Sequence, residues 1–305
     1  MKKVILDCDP GVDDAMAIVL ALNSKKIDLV GITTVSGNVG VNQTSLNACR
    51  ILDYFKITNL PVSKGAAHPL KATPVHAKSF HGNDGLGDSP LLPKTSERKL
   101  EPVHAVDFII QSVEAGLKTI VATGPLTNIA LAFKKNPRIM NKLDELIIMG
   151  GAVHEPGNVD SISEFNFYAD PDAADYVLQR KVPKTLVSLD VTHKVILTPS
   201  DVDQLENTPS GKFVKSIIAH YQKASLGSGV RGSHLHDPLA MGYCIDKTFL
   251  TLNPAFIRVE TEGKYTRGEC VPEERSWVKI TPNVNFAQDV DVNRFIDYFK
   301  KTISG

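Results

Sequence analysis

A short apolar run that ends in a cluster of acids constrains the fold of this chain more than any other segment. The run begins at Val4, and D-C-D-P-G-V-D-D at residues 7–14 then places four carboxylates within eight residues. Carboxylates this close together repel unless a cation, a proton or hydrogen-bond donors offset their charge. The next residues, A-M-A-I-V-L-A-L from Ala15, are typical of a helix, whose positive N-terminal end favours acids. The segment therefore predicts a strand, an acidic turn and a helix, with a functional site at the turn.

The order of a strand followed by a helix recurs along the chain. Repeated units of this kind favour a largely parallel sheet with helices on both faces, and ligands bind beyond the carboxyl ends of its strands. We predict an α/β fold with an open, mainly parallel sheet, and a single domain over residues 1–305, because no linker or repeat divides the chain. Further strands are predicted at residues 27–35, 60–63, 118–122, 143–149 and 184–189, and further helices at residues 41–55, 103–115 and 125–133.

Polar motifs follow the predicted strands, where such a fold binds its ligands. They are S-G-N at 36–38, T-G-P-L-T-N at 123–128, M-G-G at 149–151 and L-D-V-T at 189–192. Two polar loops, H-G-N-D-G-L-G from His81 and H-L-H-D-P from His234, lie between or after these units. We expect these motifs to cluster at one edge of the sheet.

The composition excludes several classes of partner. The 34 basic residues balance 34 acidic ones, so the chain lacks the broad positive field that nucleic acid or an anionic membrane selects, and a small molecule is the expected partner. The 4 cysteines are far apart and form no C-x-x-C pair, which argues against disulfides or structural zinc. No stretch resembles a signal peptide or approaches the length of a membrane span. We therefore expect a cytoplasmic protein.

The acidic turn alone admits three interpretations: a hard-metal site, a nucleophile pair for phosphoryl transfer, or a structural cap with solvated acids. Carboxylate and carbonyl oxygens select calcium or magnesium, whereas zinc and copper prefer histidine or thiolate. Phosphoryl transfer by Asp7 and Asp9 requires Thr or Val soon after the pair, and Pro10 and Gly11 stand there instead. Cys8 points away from both acids along a strand, so we expect it in the core.

Other motifs also have structural alternatives. H-L-H-D from His234 could be a zinc site or ordinary packing, and His81 a substrate contact or a plain loop histidine. A helix that starts after Thr123 leaves the carbonyl of that residue free to face a cation. The E-F-N run from Glu164 could belong to a site or to a surface loop.

Three of these motifs together resemble the inosine-uridine preferring nucleoside hydrolase family. They are D-C-D-P-G-V-D-D, the later G-G-A…G-N…S-E-F-N series and the H-D-P around residue 237, and the resemblance runs through nearly the whole chain. It implies an open α/β fold, one calcium ion (Ca2+) per subunit and cleavage of the N-glycosidic bond of ribonucleosides. Relatives are often dimers or tetramers, so the resemblance also implies a homo-oligomer.

The resemblance implies a calcium site made of the carboxylates of Asp9, Asp14 and Asp237 and the main-chain oxygen of Thr123. If Asp14 is bidentate, these oxygens, two ribose hydroxyls and one water would give about eight ligands, the upper end of calcium's range. Asp9 would hold the water beside the metal and take its proton as general base, and direct attack on an oxocarbenium-like centre predicts inversion. Asp7 remains as a supporting residue without an assigned role.

The resemblance also assigns substrate contacts. His236 matches the residue that protonates or polarises the leaving base, with simple packing beside Asp237 as the alternative. Positions near the ribose and the base match His81, Met149 and Phe165. The ribose-binding positions match Asp13, Asn38, Asn158, Glu164 and Asn166, whose acids and amides can satisfy the sugar hydroxyls.

The segment at residues 221–236 governs the expected base specificity. It is rich in Gly and Ser and has no aromatic residue after Tyr221, and it most resembles the bacterial branch that accepts purine and pyrimidine ribonucleosides. Broad or pyrimidine-leaning specificity is expected, and Arg231 or His234 could also reach the base. Two alternatives stay open: a magnesium-dependent phosphoryl hydrolase using Asp7 and Asp9, and a protein that binds nucleosides without cleaving them.

Overall fold

Strands and helices alternate through most of the chain, which the computed structural model describes at residues 1–227 and 229–305. Ser228, part of the Gly/Ser-rich segment at residues 221–236, lies outside the described residues. The strands are β1 (Lys2–Cys8), β2 (Ile27–Thr34), β3 (Val62–Lys64), β4 (Thr119–Ala122), β5 (Glu145–Met149), β6 (Lys184–Val187), β7 (Ile196–Leu197), β8 (Ser233–His234), β9 (Leu250–Ala255), β10 (Ile257–Val259), β11 (Cys270–Pro272) and β12 (Val284–Val290). The helices are α1 (Val12–Asn23), α2 (Val41–Tyr54), α3 (Lys78–His81), α4 (Ala105–Glu114), α5 (Thr127–Lys135), α6 (Pro137–Met140), α7 (Phe165–Ala169), α8 (Pro171–Leu178), α9 (Leu189–Thr192), α10 (Pro199–Gln204), α11 (Pro209–Gly227), α12 (His236–Ile245) and α13 (Val292–Ser304), with a 3-10 turn at Lys247–Phe249.

The main sheet has eight strands in the order β3-β2-β1-β4-β5-β6-β12-β9. Strand β1 pairs in parallel with β2 and β4, and β12 pairs in parallel with β6 but antiparallel with the edge strand β9. The predicted open, mainly parallel α/β fold is therefore confirmed. The strand order reverses beside β1, so its carboxyl end lies where open parallel sheets bind ligands.

Alternating side chains of β1 contribute to two separate cores. Leu6 and Cys8 pack with residues of α1, α2, α11, α12 and α13, whereas Ile5 packs with residues of α4, α5 and α8. This is the period of two that a pleated strand imposes, with helices covering each face of the sheet. Cys8 is fully buried in the first core, as predicted, and its Sγ lies 3.8 Å from the Thr33 carbonyl oxygen.

The predicted elements differ from the observed ones mainly at their ends. The strand predicted at residues 184–189 stops at Val187, because residues 189–192 form the helical turn α9. No element was predicted for β9 or β12, which complete the sheet from the C-terminal part of the chain. Among the described residues, no helix has both the length and the apolar character needed to cross a membrane. The single domain, the oligomeric state and the cytoplasmic location stay predictions.

Candidate active site

Local backbone chemistry builds the acidic turn between β1 and α1. Gly11 precedes the first helical residue, and its N–H donates to Oδ2 of Asp14 at 3.0 Å. Asp13 and Asp14 lie in the first turn of α1, where free N–H groups and the helix dipole stabilise negative charge. A Cβ atom on Gly11 would lie 2.5 Å from Nδ2 of Asn38 and 2.7 Å from Nδ1 of His81, so glycine is required for the turn to approach both side chains.

Four buried carboxylates, Asp9, Asp13, Asp14 and Asp237, form what we call the acid floor. Asp237 stands in the first turn of α12, and the packing of α1 against α12 brings it to the turn from the distant part of the chain. Oxygen atoms of Asp13, Asp14 and Asp237 lie within 4.8 Å of one another, an arrangement that could hold a metal ion. Asp9 lies outside this group of three, so its predicted role as a metal ligand is not tested by the spacing.

Burial makes negative charge costly on the acid floor. It raises the pKa of Asp13 to about 8, with a further contribution from the charge of Asp14. Burial and then neighbouring carboxylates raise the pKa values of Asp9 and Asp237 well above their ordinary range. Among the described residues, Oδ1 of Asp9 and Oδ1 of Asp13 find no hydrogen-bond partner. A cation would offset the charge and use these oxygens, and an all-oxygen donor set suits a hard ion such as calcium or magnesium.

Two glycine-containing loops enclose the Asp9 carboxylate. Its Oδ2 accepts a hydrogen bond from the backbone N–H of Asn38 at 2.6 Å. A Cβ atom on Gly37 would lie 2.0 Å from that oxygen, and one on Gly124 would lie 2.7 Å from Oδ1. The Asn38 side chain also donates to the Asp9 carbonyl and to Oδ2 of Asp14, each at 3.2 Å. The S-G-N and T-G-P loops therefore hold Asp9 in one orientation.

Thr123 reaches the acid floor with both its side chain and its carbonyl group. Oγ1 donates to Oδ1 of Asp14 at 2.8 Å, and the carbonyl oxygen accepts from Nδ2 of Asn166 at 2.7 Å. That carbonyl was expected to be free; one of its lone pairs is engaged and the second remains available. Nδ2 of Asn166 also donates to the Met149 carbonyl at 3.2 Å, so one amide joins the ends of β4 and β5.

Glu164 is buried, so the interpretation of E-F-N as a surface loop is wrong. Its side chain caps α7 by accepting from the N–H groups of Asn166 at 2.9 Å and Phe167 at 3.1 Å, and it accepts from Gly151 at 2.9 Å. Burial raises the pKa of Glu164 to about 7 even though these three donors favour the charged form. Asn158 is exposed at the rim, where Oδ1 accepts from the N–H of Phe165 at 2.9 Å.

Asp7 is a structural acid beneath the site. Its Oδ1 accepts from Oγ1 of Thr33 at 2.6 Å and from Nδ2 of Asn128 at 2.8 Å, which ties β1 to β2 and α5. Burial raises the pKa of Asp7 to about 7. Its side chain is fully buried, and these two donors give it a supporting role between the strands and α5.

A cavity of about 920 Å³ opens above the acid floor. Asp9 and Asp14 are not part of its lining, and neither is the exposed Arg231. The structure thus brings most of the predicted site residues to one cavity, although they come from distant parts of the chain. Those that line it are Asp13, Asn38, His81, Thr123, Met149, Asn158, Glu164, Phe165, Asn166, His236 and Asp237.

His81 and His236 are both buried and neutral. Nδ1 of His81 accepts from the N–H of Val12 at 3.1 Å, and burial lowers its pKa to about 3. Nδ1 of His236 lies 2.7 Å from Oγ1 of Thr192, a contact that orients the ring. Burial, followed by the charges of His234 and His193, lowers the pKa of His236 well below its ordinary value. His236 could therefore act as a neutral hydrogen-bonding group.

Sequence analysis missed His193 and left His234 unassigned, and both line the cavity. Together with His236 they form what we call the histidine wall. His193 directly follows L-D-V-T at residues 189–192, one of the polar motifs predicted to lie at a strand end. That position was the signal by which His193 could have been found, since ligands bind beyond strand ends in such a fold. The zinc interpretation of H-L-H-D gains no support. Among the described residues, the side chains close enough together to hold a metal ion are carboxylates and include no histidine.

The comparisons with known proteins agree along the whole chain. Residues 4–297 match the family described as "Inosine-uridine preferring nucleoside hydrolase". The "Inosine-uridine preferring nucleoside hydrolase" of Crithidia fasciculata is 37% identical over 281 residues, which cover 90% of this chain and 89% of that protein. The "Non-specific ribonucleoside hydrolase RihC" of Escherichia coli (strain SMS-3-5 / SECEC) is 35% identical over 304 residues, 99% of this chain and 98% of that one.

Solved structures have the same fold. The "Purine-Preferring Ribonucleoside Hydrolase from Gardnerella vaginalis" superposes with a TM-score of 0.93 at 39% identity, covering 100% of this chain and 98% of that chain. The "Plant nucleoside hydrolase - PpNRh1 enzyme" also has a TM-score of 0.93, at 33% identity, covering 100% of this chain and 99% of that chain. The names of these relatives differ in the bases that they mention.

Proposed function

This chain belongs to the inosine-uridine preferring nucleoside hydrolase family of N-glycosidases, and we propose that it hydrolyses ribonucleosides to ribose and a free base in a calcium-dependent reaction. The observation that carries the proposal is the acid floor, in which oxygens of Asp14 and Asp237, two of the proposed ligands, lie within 4.8 Å of each other and of Asp13. Asp13 and Asp237 also line a cavity large enough for a nucleoside. Acids that no basic side chain offsets need a cation, and a cation among carboxylates can bind a sugar diol.

Calcium would be held by Asp9, Asp14 and Asp237 with the Thr123 carbonyl oxygen. The fit rests on oxygen-only donors and on the unpartnered Oδ1 of Asp9, which a hard ion would satisfy. When bound, the ion supplies Lewis-acid chemistry, orienting the ribose and a water molecule and lowering the pKa of that water. Asp13 differs from Asp14 in lining the cavity, which suits it to a ribose hydroxyl.

Asp9 acts as the general base in this proposal. Oδ2 is held by the N–H of Asn38, and Oδ1 has no hydrogen-bond partner among the described residues. Oδ1 has two lone pairs, so it would face the ion with one and take a proton from water with the other. The water oxygen then bonds to the anomeric carbon as the bond to the base nitrogen breaks, and the bonding pair leaves with the base. Attack from one side predicts inversion at the anomeric carbon.

The remaining residues bind and orient the substrate. The ribose contacts are assigned to Asp13, Asn38, Asn158, Glu164 and Asn166, with His81, Met149 and Phe165 close to the sugar and the base. His236 polarises the departing base by donating a hydrogen bond to it, since its ring is oriented through Nδ1 by Thr192 and borders the cavity. We propose broad specificity for purine and pyrimidine ribonucleosides.

The test is a substrate panel. Purified protein is incubated with uridine, cytidine, inosine and adenosine, with calcium or with a chelator, and released reducing sugar is measured. We expect release from at least one purine and one pyrimidine nucleoside, and loss of release with the chelator. If no nucleoside yields ribose in the presence of calcium, the proposed reaction is wrong.

Two further assays distinguish the alternative functions. A magnesium-dependent phosphoryl hydrolase would release phosphate from 4-nitrophenyl phosphate. The described cavity lining contains no lysine or arginine to pair with a phosphate, which speaks against this alternative. A protein that only binds nucleosides would show binding by calorimetry without ribose release, and such a protein would have no use for the unpartnered oxygen of Asp9.

A further inference from the structure

The histidine wall is a stack of three imidazole rings. The ring centroids of His193 and His234 are 4.8 Å apart with planes inclined by 40°, and those of His234 and His236 are 5.3 Å apart with planes inclined by 34°. The centroids of His193 and His236 are 5.8 Å apart. The three rings therefore lie side by side, although His193 follows α9, His234 lies in β8 and His236 begins α12.

A short antiparallel pair of strands holds the wall together. In β7 and β8, Ile196 pairs with His234, and the N–H of Leu235 donates to the Val195 carbonyl at 3.0 Å. His193 lies just before β7, so this pairing brings it against His234. These backbone hydrogen bonds therefore hold the main chain of the two segments side by side.

The wall runs outward from the acid floor. His236 adjoins Asp237 in sequence and is buried, whereas His193 and His234 are only half-buried. All three rings line the cavity. A nucleoside whose ribose rests on the acid floor would extend its base along this wall, because the base leaves the sugar on the side that His236 is assigned to serve.

His193 and His234 have chemistry that suits a nucleobase. Burial lowers the pKa of His193, and it lowers the pKa of His234 to about 4 with help from the charge of His193. Both rings are therefore neutral at neutral pH, and a neutral imidazole offers one donor and one acceptor. Among the described residues, Nδ1 of His234 is buried without a hydrogen-bond partner, which is costly unless a ligand supplies one.

We propose that His193 and His234 bind the nucleobase of the substrate and determine which bases are accepted, an inference that rests on the proposed nucleoside hydrolysis. A neutral imidazole presents a donor or an acceptor, which suits the mixed N–H and carbonyl edges of purines and pyrimidines alike. On His234 the backbone of Thr192 and His193 uses part of this capacity, and Nδ1 is the atom without a partner among the described residues. The pair binds either class without the charge that a lysine or arginine would bring.

The experiment compares substrates with and without a base. His193→Phe and His234→Phe keep a ring in the stack but remove its nitrogens, and His154→Phe is the matched control, since His154 is exposed and does not line the cavity. KM and kcat are measured with inosine, uridine and 4-nitrophenyl riboside, which presents no nucleobase. Thermal unfolding of each variant checks that it is folded.

For each wall variant we expect the KM of the nucleosides to rise about two- to tenfold, the range for one lost hydrogen bond, with less than a twofold change for 4-nitrophenyl riboside. The control variant should match the wild type on all substrates. His234→Asn, which keeps a polar atom near the position of Nδ1, should recover part of the loss. Unchanged nucleoside KM values, or equal changes for nucleosides and 4-nitrophenyl riboside, would overturn the assignment.

Failure of the proposed function gives a different pattern. If the wild type cleaves neither nucleosides nor 4-nitrophenyl riboside with calcium present, hydrolysis is wrong, and the base contact is then tested by calorimetry. Inosine and ribose are titrated into the wild type and the two phenylalanine variants. Weaker binding of inosine with unchanged binding of ribose supports the histidine assignment, and equal binding in all three proteins refutes it.

Discussion

The acid floor and the histidine wall face the same cavity but are built in opposite ways. On the floor, burial raises the pKa values of the acids, and Asp9 is held by the N–H of Asn38 at 2.6 Å and by close glycines. On the wall, burial lowers the pKa values of the histidines, and Nδ1 of His234 has no partner among the described residues. The floor needs a cation and therefore suits what all ribonucleosides share, while the neutral wall suits the part that varies.

The largest expected effect is the loss of activity in an acid-floor variant, and comparing two substrates distinguishes it from an effect of the histidine wall. Asp9→Asn keeps the acceptor for the Asn38 N–H but removes the base, so kcat should fall by about 10²- to 10⁴-fold. The fall should be the same for inosine and for 4-nitrophenyl riboside, because the water is activated without regard to the leaving group. Steady-state kinetics check this, and a loss confined to inosine would contradict the assignment of Asp9 to the water.

Unlike Asp9→Asn, His236→Phe should affect inosine and 4-nitrophenyl riboside differently. We expect kcat for inosine to fall by about 10²-fold, the lower end for a general acid, because the departing base loses its hydrogen-bond or proton donor. 4-Nitrophenolate leaves without a proton, so that substrate should change little. If both substrates lose the same factor, His236 serves the floor or the packing rather than the base.

Removing the metal should lower the Tm of the protein, and this effect should depend on the acid floor and not on the histidine wall. An ion that binds only the folded protein stabilises it by about 2.7 kcal/mol at one hundred times its Kd, so adding calcium to chelated protein should raise the Tm. Asp237→Asn removes one ligand and should abolish most of this shift, whereas His234→Phe should retain it. Scanning calorimetry with calcium, magnesium and no metal measures the effect, and an equal shift in Asp237→Asn would exclude the floor as the binding site.

Gly37→Ala should displace the Asp9 carboxylate of the acid floor by a steric clash. Its Cβ would lie 2.0 Å from Oδ2 of Asp9, so the carboxylate or the loop must move, at a cost of about 1–3 kcal/mol in unfolding free energy and a lower kcat. Gly40→Ala is the matched control, because no atom lies within 4 Å of a Cβ there. Denaturant unfolding and kinetics compare the two variants. Similar results for both would show that Asp9 is not tightly enclosed.

The smallest expected effects concern how the free energy of unfolding depends on pH in protein treated with a chelator. His234 and Asp13 should contribute to this dependence with opposite signs. The pKa of His234 is lowered from 6.5 to about 4, so the unfolded chain binds the extra proton, and this residue costs stability as pH falls from 6.5 to 4. The pKa of Asp13 is raised from 3.8 to about 8, so the folded protein holds the proton, and this residue costs stability as pH rises from 3.8 to 8. Urea unfolding should show that His234→Phe removes the first slope and Asp13→Asn the second.

Sequence analysis anticipated the floor better than the wall. Asp9, Asp13 and Asp14 belong to one dense motif, and the family resemblance added Asp237 through the H-D-P motif. His193 belongs to no such motif, because a single histidine after a strand end is common in proteins. Its function depends on a ring from β8 lying beside it, and sequence patterns carry no signal for that contact.

By itself, the sequence determined the strand, turn and helix around the acids. A short apolar run, a glycine before the helix and acids in its first turn act over a few residues, and their physics is local. Only the tertiary structure decided that Glu164 is buried, that the Thr123 carbonyl already accepts from Asn166, and that β7 and β8 assemble the histidine wall. Those outcomes depend on which distant segments pack together, and packing energy is shared among many contacts that no single motif encodes.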